Sequence, residues 1–261
     1  MKIIALAASA FLIAAIADRP AFAQEKRSIT ARVGLGAQLT PRYPGADKVQ
    51  IGPFVDVSIK RGDENFGFEA PDESFGISIV STNGFAIGPV ASIENSRRER
   101  DVGAAVGRVP TTFEAGGFFQ YQLSPSFRLR SEVRKGIGGH EGVVGTVSAD
   151  YVIRDEDNYL FSIGPRVTLG NARYQRAYFG VSPQVAAATG LAQFRPDGGV
   201  HAVGATAGFL YQFGPRWGIN SYARYDRLIG DADRSPIVRR FGSSNQFSGG
   251  LALTYTFAVR R

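Results

Sequence analysis

From residue 29 to residue 257, apolar and polar side chains take turns along one stretch after another, and no other feature limits the fold as tightly. In the closing stretch Phe247, Gly249, Leu251, Leu253, Tyr255 and Phe257 alternate with Gln246, Ser248, Gly250, Ala252, Thr254 and Thr256. Near the start, Ile29, Ala31, Val33, Leu35, Ala37 and Leu39 alternate with Thr30, Arg32, Gly34, Gly36 and Gln38. A period of two belongs to a strand with two unlike faces. The pattern recurs near 49–60, 64–70, 74–80, 85–94, 111–123, 126–136, 142–154, 158–170, 201–213 and 216–227, so about twelve strands are expected.

The connections alternate in length. Tight turns fall at 61–64 (RGDE), 81–84 (STNG), 124–126 (SPS), 154–158 (RDEDN) and 214–216 (GPR), with the Gly, Pro, Asn and Asp that hairpins use. Longer connections fall at 40–48, 95–110, 171–200 and 228–243, with shorter ones at 70–73 and 137–141. Short turns at one end and longer loops at the other are the habit of an outer-membrane barrel, with the short turns on the periplasmic side. The predicted fold is therefore an all-β, transmembrane, antiparallel up-and-down barrel of about twelve strands.

Aromatic residues flank the tight turns: Tyr121 and Phe127; Tyr151, Tyr159 and Phe161; Tyr211, Phe213 and Trp217; Tyr255 and Phe257. Rings with one apolar and one wet end suit a water–lipid boundary. A secreted β-sandwich or lipocalin-like barrel would share the alternation but turn its apolar face inward.

Residues 1–23 read as a secretory leader: Lys2, an apolar run from Ile3 to Ala17, and Ala21-Phe22-Ala23 before Gln24. The expected mature chain is one barrel domain, 24–261. Over the full 261 residues, Gly 32, an aromatic content of 11% and a hydrophobic content of 44% suit an all-β chain. With Cys 0 no disulfide framework holds an exported chain together, so a long ladder and burial must do it. The net charge of +7 comes without any concentrated Lys/Arg tract, and no nucleic-acid partner is expected.

A catalytic role has little support in the residues. His140 and His201 are the 2 histidines, and His140-Glu141 is not followed by the second histidine of a zinc-protease helix. Pairing of a histidine with Ser182, Ser235, Ser243, Asp231 or Asp233 would be needed for an outer-membrane hydrolase that modifies lipid. The glycines of 136–142 (GIGGHEG) fit a flexible hairpin tip better than a phosphate loop. No metal and no cofactor is expected, and the protein is expected not to be an enzyme.

Lumen-facing positions are richer in chemistry. The strand at 126–136 sends Arg128, Arg130, Glu132 and Arg134 to one side and Phe127, Leu129 and Val133 to the other. Arg166 and Arg224 are further pore candidates, and Arg32, Asp56, Glu69, Glu94, Glu114, Asp150 and Asp226 are expected inside too. Charges are costly on a lipid face, so this side must be wet or paired. Two uses are open: an ion-pair network filling the lumen, or a narrow pore whose arginine stripe favours anions. In the loop at 173–194, Ser182 and Pro183 predict a short helix that ends at Gly190.

Several stretches resemble the MltA-interacting protein (MipA)/OmpV family of Gram-negative outer-membrane proteins. They are PRYPGAD (41–47), STNGFAIGP (81–89), TFEAGGF (112–118), YFGVSPQVAAATGL (178–191) and, most densely, residues 226–255. The resemblance implies an integral outer-membrane barrel. It also implies a scaffold that links a murein transglycosylase to a murein synthase in the periplasm, or a porin-like or adhesive role. It brings no catalytic residues.

Overall fold

Alternating stretches become strands when a rolled sheet gives their two faces two different surroundings. The computed structural model describes residues 28–259, so the leader expected over 1–23 lies outside the described residues. The strands are β1 (Ile29–Pro41), β2 (Val49–Arg61), β3 (Phe75–Gly76), β4 (Val80–Thr82), β5 (Phe85–Glu94), β6 (Thr112–Ser124), β7 (Phe127–Ile137), β8 (Val143–Asp155), β9 (Tyr159–Gly170), β10 (Gly199–Gln212), β11 (Trp217–Leu228) and β12 (Asn245–Val259). Five short helices sit in the longer connections: α1 (Glu99–Val102), α2 (Ala172–Phe179), α3 (Pro183–Thr189), α4 (Gly230–Arg234) and α5 (Pro236–Phe241).

Every strand pairs antiparallel with its neighbours in one sheet, in the order β2-β1-β12-β11-β10-β9-β8-β7-β6-β5-β3, with β4 also on β5. The first long strand meets the last, Ile29 opposite Val259 and Leu39 opposite Gly249, so both ends of the described chain share one rim. The outside carries the large apolar residues: Leu35 is 67% exposed, Ile51 77% and Phe247 62%. A continuous apolar surface of this kind belongs against hydrocarbon rather than water. The opposite face is polar and buried. Register is what separates the two, because a slip of one residue would turn Arg128, Arg130 and Arg134 outward at roughly 2–4 kcal/mol each at mid-membrane.

The aromatic residues beside the tight turns gather at the rim of the termini. Phe127 packs on Tyr151 with ring centres 4.9 Å apart, Trp217 on Tyr255 at 4.7 Å, and Phe85 stacks on Tyr121 at 4.2 Å.

Two expected strands are corrected. Residues 74–80 supply only β3 and the start of β4. These are two pieces of one pass, since the Ile77 and Ile79 amides donate to the Pro89 and Ile87 carbonyls of β5 at 3.2 and 2.9 Å. Residues 64–70 are not a strand. The chain from 62 to 74 leaves the wall and climbs through the lumen, where charged side chains take up polar groups that a ladder would otherwise hold. Counting β3 and β4 as one, the twelve strand segments make eleven passes, and the twelfth pass is this inner segment. Consequently, among the described residues, β2 pairs only with β1, and β3–β4 only with β5.

At the far rim the long connections pack on one another. Tyr43, Val102, Tyr174, Tyr178, Phe179, Leu228, Ile237 and Val238 belong to one buried apolar cluster. The Arg97 guanidinium crosses it, donating to the Tyr178 carbonyl at 2.6 Å and the Val106 carbonyl at 3.2 Å. Gln246 ties the 42–48 loop to β12, accepting from the Gly45 amide and donating to the Ala46 carbonyl, both at 3.0 Å. The loop helix behaves as its sequence predicts: Ser182 caps it through the Val185 amide, Pro183 opens it and Gly190 ends it with φ 69°.

Candidate functional site

Strand alternation alone delivers Arg128, Arg130, Glu132 and Arg134 of β7 to the lumen, and the fold adds the carboxylates that meet them. Arg134 donates to Glu114 at 2.8 Å and to Glu132 at 2.7 Å. Glu132 also bridges to Arg130 at 2.8 Å. Arg128, its side chain fully buried, donates to Asp150 at 2.7 Å and binds Glu73. Asp150 passes the chain of contacts to Arg166 at 2.8 Å. Arg166 holds Asp72 through two parallel bonds of 2.8 and 3.0 Å. Asp72 takes two more, from Thr206 at 2.9 Å and Arg224 at 3.0 Å, and Arg224 reaches Asp226 at 2.5 Å. With Arg130 3.5 Å from Glu73, all six sequence-chosen residues lie in one connected network.

Glu132 therefore serves two arginines, Arg130 and Arg134. In this network five guanidiniums (Arg128, Arg130, Arg134, Arg166, Arg224) meet six carboxylates (Asp72, Glu73, Glu114, Glu132, Asp150, Asp226). The free positive stripe on which anion selectivity would rest is neutralised at rest. Buried pairs of this kind hold only while both partners remain, since a lone buried charge is penalised heavily.

Asp72 and Glu73 are the functional residues that sequence reasoning missed, because 70–73 looks like a plain connection. The signal available was two adjacent acids, Asp72 and Glu73, directly after the alternating Phe66, Phe68 and Ala70. The segment is anchored at three heights. Phe66 lies beneath the Arg32 and Lys60 cations, 4.4 and 5.1 Å from its ring centre. Its amide donates to Asp157 at 3.0 Å and its carbonyl accepts from Arg154 at 3.0 Å. Higher up, the Phe68 ring lies 4.2 Å from the Arg128 guanidinium, which also donates to the Phe68 carbonyl at 3.1 Å. Pro71 then rests on Gly208, where a Cβ would sit 3.0 Å from the proline ring.

Above the segment and below the loop cluster lies a chamber of about 410 Å³. Its lining includes Gln38, Tyr43, Glu94, Arg134, Tyr174, His201, Tyr222 and Arg224. Burial holds the phenols of Tyr174 and Tyr178 above their ordinary value, so both stay neutral. The two histidines flank Tyr174, with ring centres 5.0 Å away for His140 and 5.1 Å for His201. His140 accepts from the Gly142 amide at Nδ1 and donates to Glu114 from Nε2, each at 2.9 Å. The loop groups that a hydrolase would enlist are engaged elsewhere. Ser235 donates to the Phe179 carbonyl at 2.7 Å, Ser182 caps α3, and Asp231 accepts from the Asp197 amide at 2.9 Å.

Among solved structures, an outer-membrane channel from Pseudomonas putida F1 is similar at 9% identity, with 92% of this chain and 100% of that one covered and a TM-score of 0.43. The outer-membrane channel DcaP of Acinetobacter baumannii is similar at 8% identity, covering 92% and 100%, with a TM-score of 0.39. The KdgM porin is similar at 11% identity, covering 88% and 99%, with a TM-score of 0.37. No curated protein matches the chain in sequence. The family model for MltA-interacting protein MipA matches residues 33–257, which takes in almost every strand, the inner segment and the loop cluster, and the chain belongs to that family.

Proposed function

We propose that the protein is an integral outer-membrane barrel, exported by a leader cleaved after Ala23, that serves at rest as a docking scaffold and not as an open pore. Outer-membrane lipid is its first partner, through the apolar face. The observation that carries the reading is the obstruction of the lumen at two levels, by residues 62–74 and by the packed loops. A barrel obstructed in this way offers its rims for work. The partner fitting the family's name is a murein transglycosylase, and the resemblance adds a murein synthase beside it, both met at the rim of the tight turns and the termini.

The test uses the refolded full-length protein in detergent and in planar bilayers. Saturable binding of a purified murein transglycosylase, together with no steady conductance, is expected. A steady ohmic conductance without binding of that enzyme overturns the reading.

A further inference from the structure

The wall lacks one pass in its up-and-down order. β2 runs toward the rim of the termini, and β3–β4 runs toward that same rim. Among the described residues neither edge has a ladder partner on the side that faces the other. Two such edges are costly in lipid, and an up-and-down order calls for one strand of opposite direction between them. The chain that joins them does run in that direction, but inside, from Phe66 at the level of Asp157 to Asp72 at the level of Arg166.

Its sequence retains the pattern of a wall strand. Phe66, Phe68 and Ala70 alternate with Asn65, Gly67 and Glu69. The turn at Gly62 and Asp63 is formed already, with Gly62 at φ 61°, as a two-residue hairpin needs. Continued from that turn, antiparallel pairing sets Phe66 beside Ile59, Phe68 beside Val57 and Ala70 beside Val55. All six would face lipid with the existing apolar band, and Asn65, Gly67 and Glu69 would face the lumen.

We propose that residues 64–70 are a displaced wall strand whose return between β2 and β4 opens the lumen, and that the solute then admitted is a small organic dianion bearing two carboxylates. The ligand class follows from what the segment removes. Asp72 and Glu73 must leave with it, so the six carboxylates of the network fall to four against five guanidiniums. Arg128, Arg166 and Arg224 then lack the carboxylates they hold at rest. An arginine fork takes a free carboxylate in the same two-bond manner that Arg166 takes Asp72. Asp72 and Glu73 thus behave as a tethered competitor of the solute, and solute binding and segment release favour each other.

The chain has Cys 0, which makes cysteine pairs clean reporters. Val55→Cys with Ala70→Cys can bridge only in the wall state, since at rest Val55 is 54% exposed outside and Ala70 5% exposed within. Pro71→Cys with Gly208→Cys reports the inner state. Both are made in the full-length barrel and checked for heat-modifiable migration; Ile59→Cys with Phe66→Cys replaces the first pair if it does not assemble. Succinate is expected to raise the wall cross-link several-fold and lower the inner one. The wall-locked barrel should conduct succinate, and the inner-locked barrel should not. An assembled barrel that forms the inner bridge but never the wall bridge overturns the proposal, as does a wall-locked barrel without conductance. Acetate acting as well as succinate overturns the two-carboxylate assignment. Transglycosylase binding is measured on both locked forms, and its loss bears on the scaffold reading alone.

Discussion

Asp72 and Arg166 stand 94 positions apart and meet through two parallel hydrogen bonds of 2.8 and 3.0 Å, deep inside a barrel whose wall contains only one of them. Asp72→Asn keeps the shape and removes the charge. Arg166 retains Asp150 and Arg224 retains Asp226, so the loss should be smaller than the roughly 3–5 kcal/mol of a buried pair broken outright. The barrel should still assemble, with a lower midpoint for heat-induced loss of its fast-migrating form. Faster proteolysis within residues 62–74 is expected alongside, and an unchanged midpoint and cleavage rate would count against the clamp.

Arg128→Ser with Arg130→Ser strips Glu73 of both its cations and leaves Asp150 with Arg166 alone and Glu132 with Arg134 alone. The expected result is a marked loss of heat stability, not a change of ion selectivity in an intact barrel. Electrophoretic mobility after graded heating reads the first outcome, and reversal potential in asymmetric salt reads the second.

Glycines in the strands divide sharply by what a side chain would meet. At Gly164 a Cβ would lie 1.7 Å from the Ala149 carbonyl oxygen, whereas at Gly52 nothing lies within 4 Å. Gly164→Ala should yield little or no heat-modifiable barrel on refolding. Gly52→Ala should refold like the parent, and equal yields of the two would contradict the packing.

Arg97 is 2% exposed and satisfies the carbonyls of Tyr178 and Val106 from one guanidinium. Replacing it with Met strands those acceptors, at about 1–3 kcal/mol for each unsatisfied group. The loops should loosen while the strands hold. Amide exchange at 172–190 and 230–241 is expected to speed up several-fold, with β6 to β9 unaffected.

Acid should release a second tie between loops. The Asp197 amide, and after it Arg234, hold the Asp231 carboxyl below its ordinary value of 3.8. A depressed carboxylate contributes stability above its unfolded pKa and loses it as pH falls through the folded value. Protection of the Asp197 amide should therefore persist down to about pH 4 and be lost as the pH falls further, and Asp231→Asn should remove that dependence.

The strands could be read from the chain because period-two alternation is local: each stretch from β5 to β12 carries both its faces in its own side chains. Tight turns and the Ser182–Pro183 helix start were legible for the same reason, since each is decided by a few neighbouring residues. Alternation also placed Arg128, Arg130, Glu132, Arg134, Arg166 and Arg224 inside. What they touch is a different matter. Residues 64–70 alternate as well as any wall strand, yet they lie in the lumen, because Arg128, Arg166 and Arg224 arrive there from three distant strands and draw Asp72 and Glu73 inward. The sequence by itself determined a barrel with an apolar outside and a charged inside. Only the tertiary structure decided that the charges close on one another through an inner segment, because the energy of a buried ion pair depends on a distance set by the register of strands far apart in the chain.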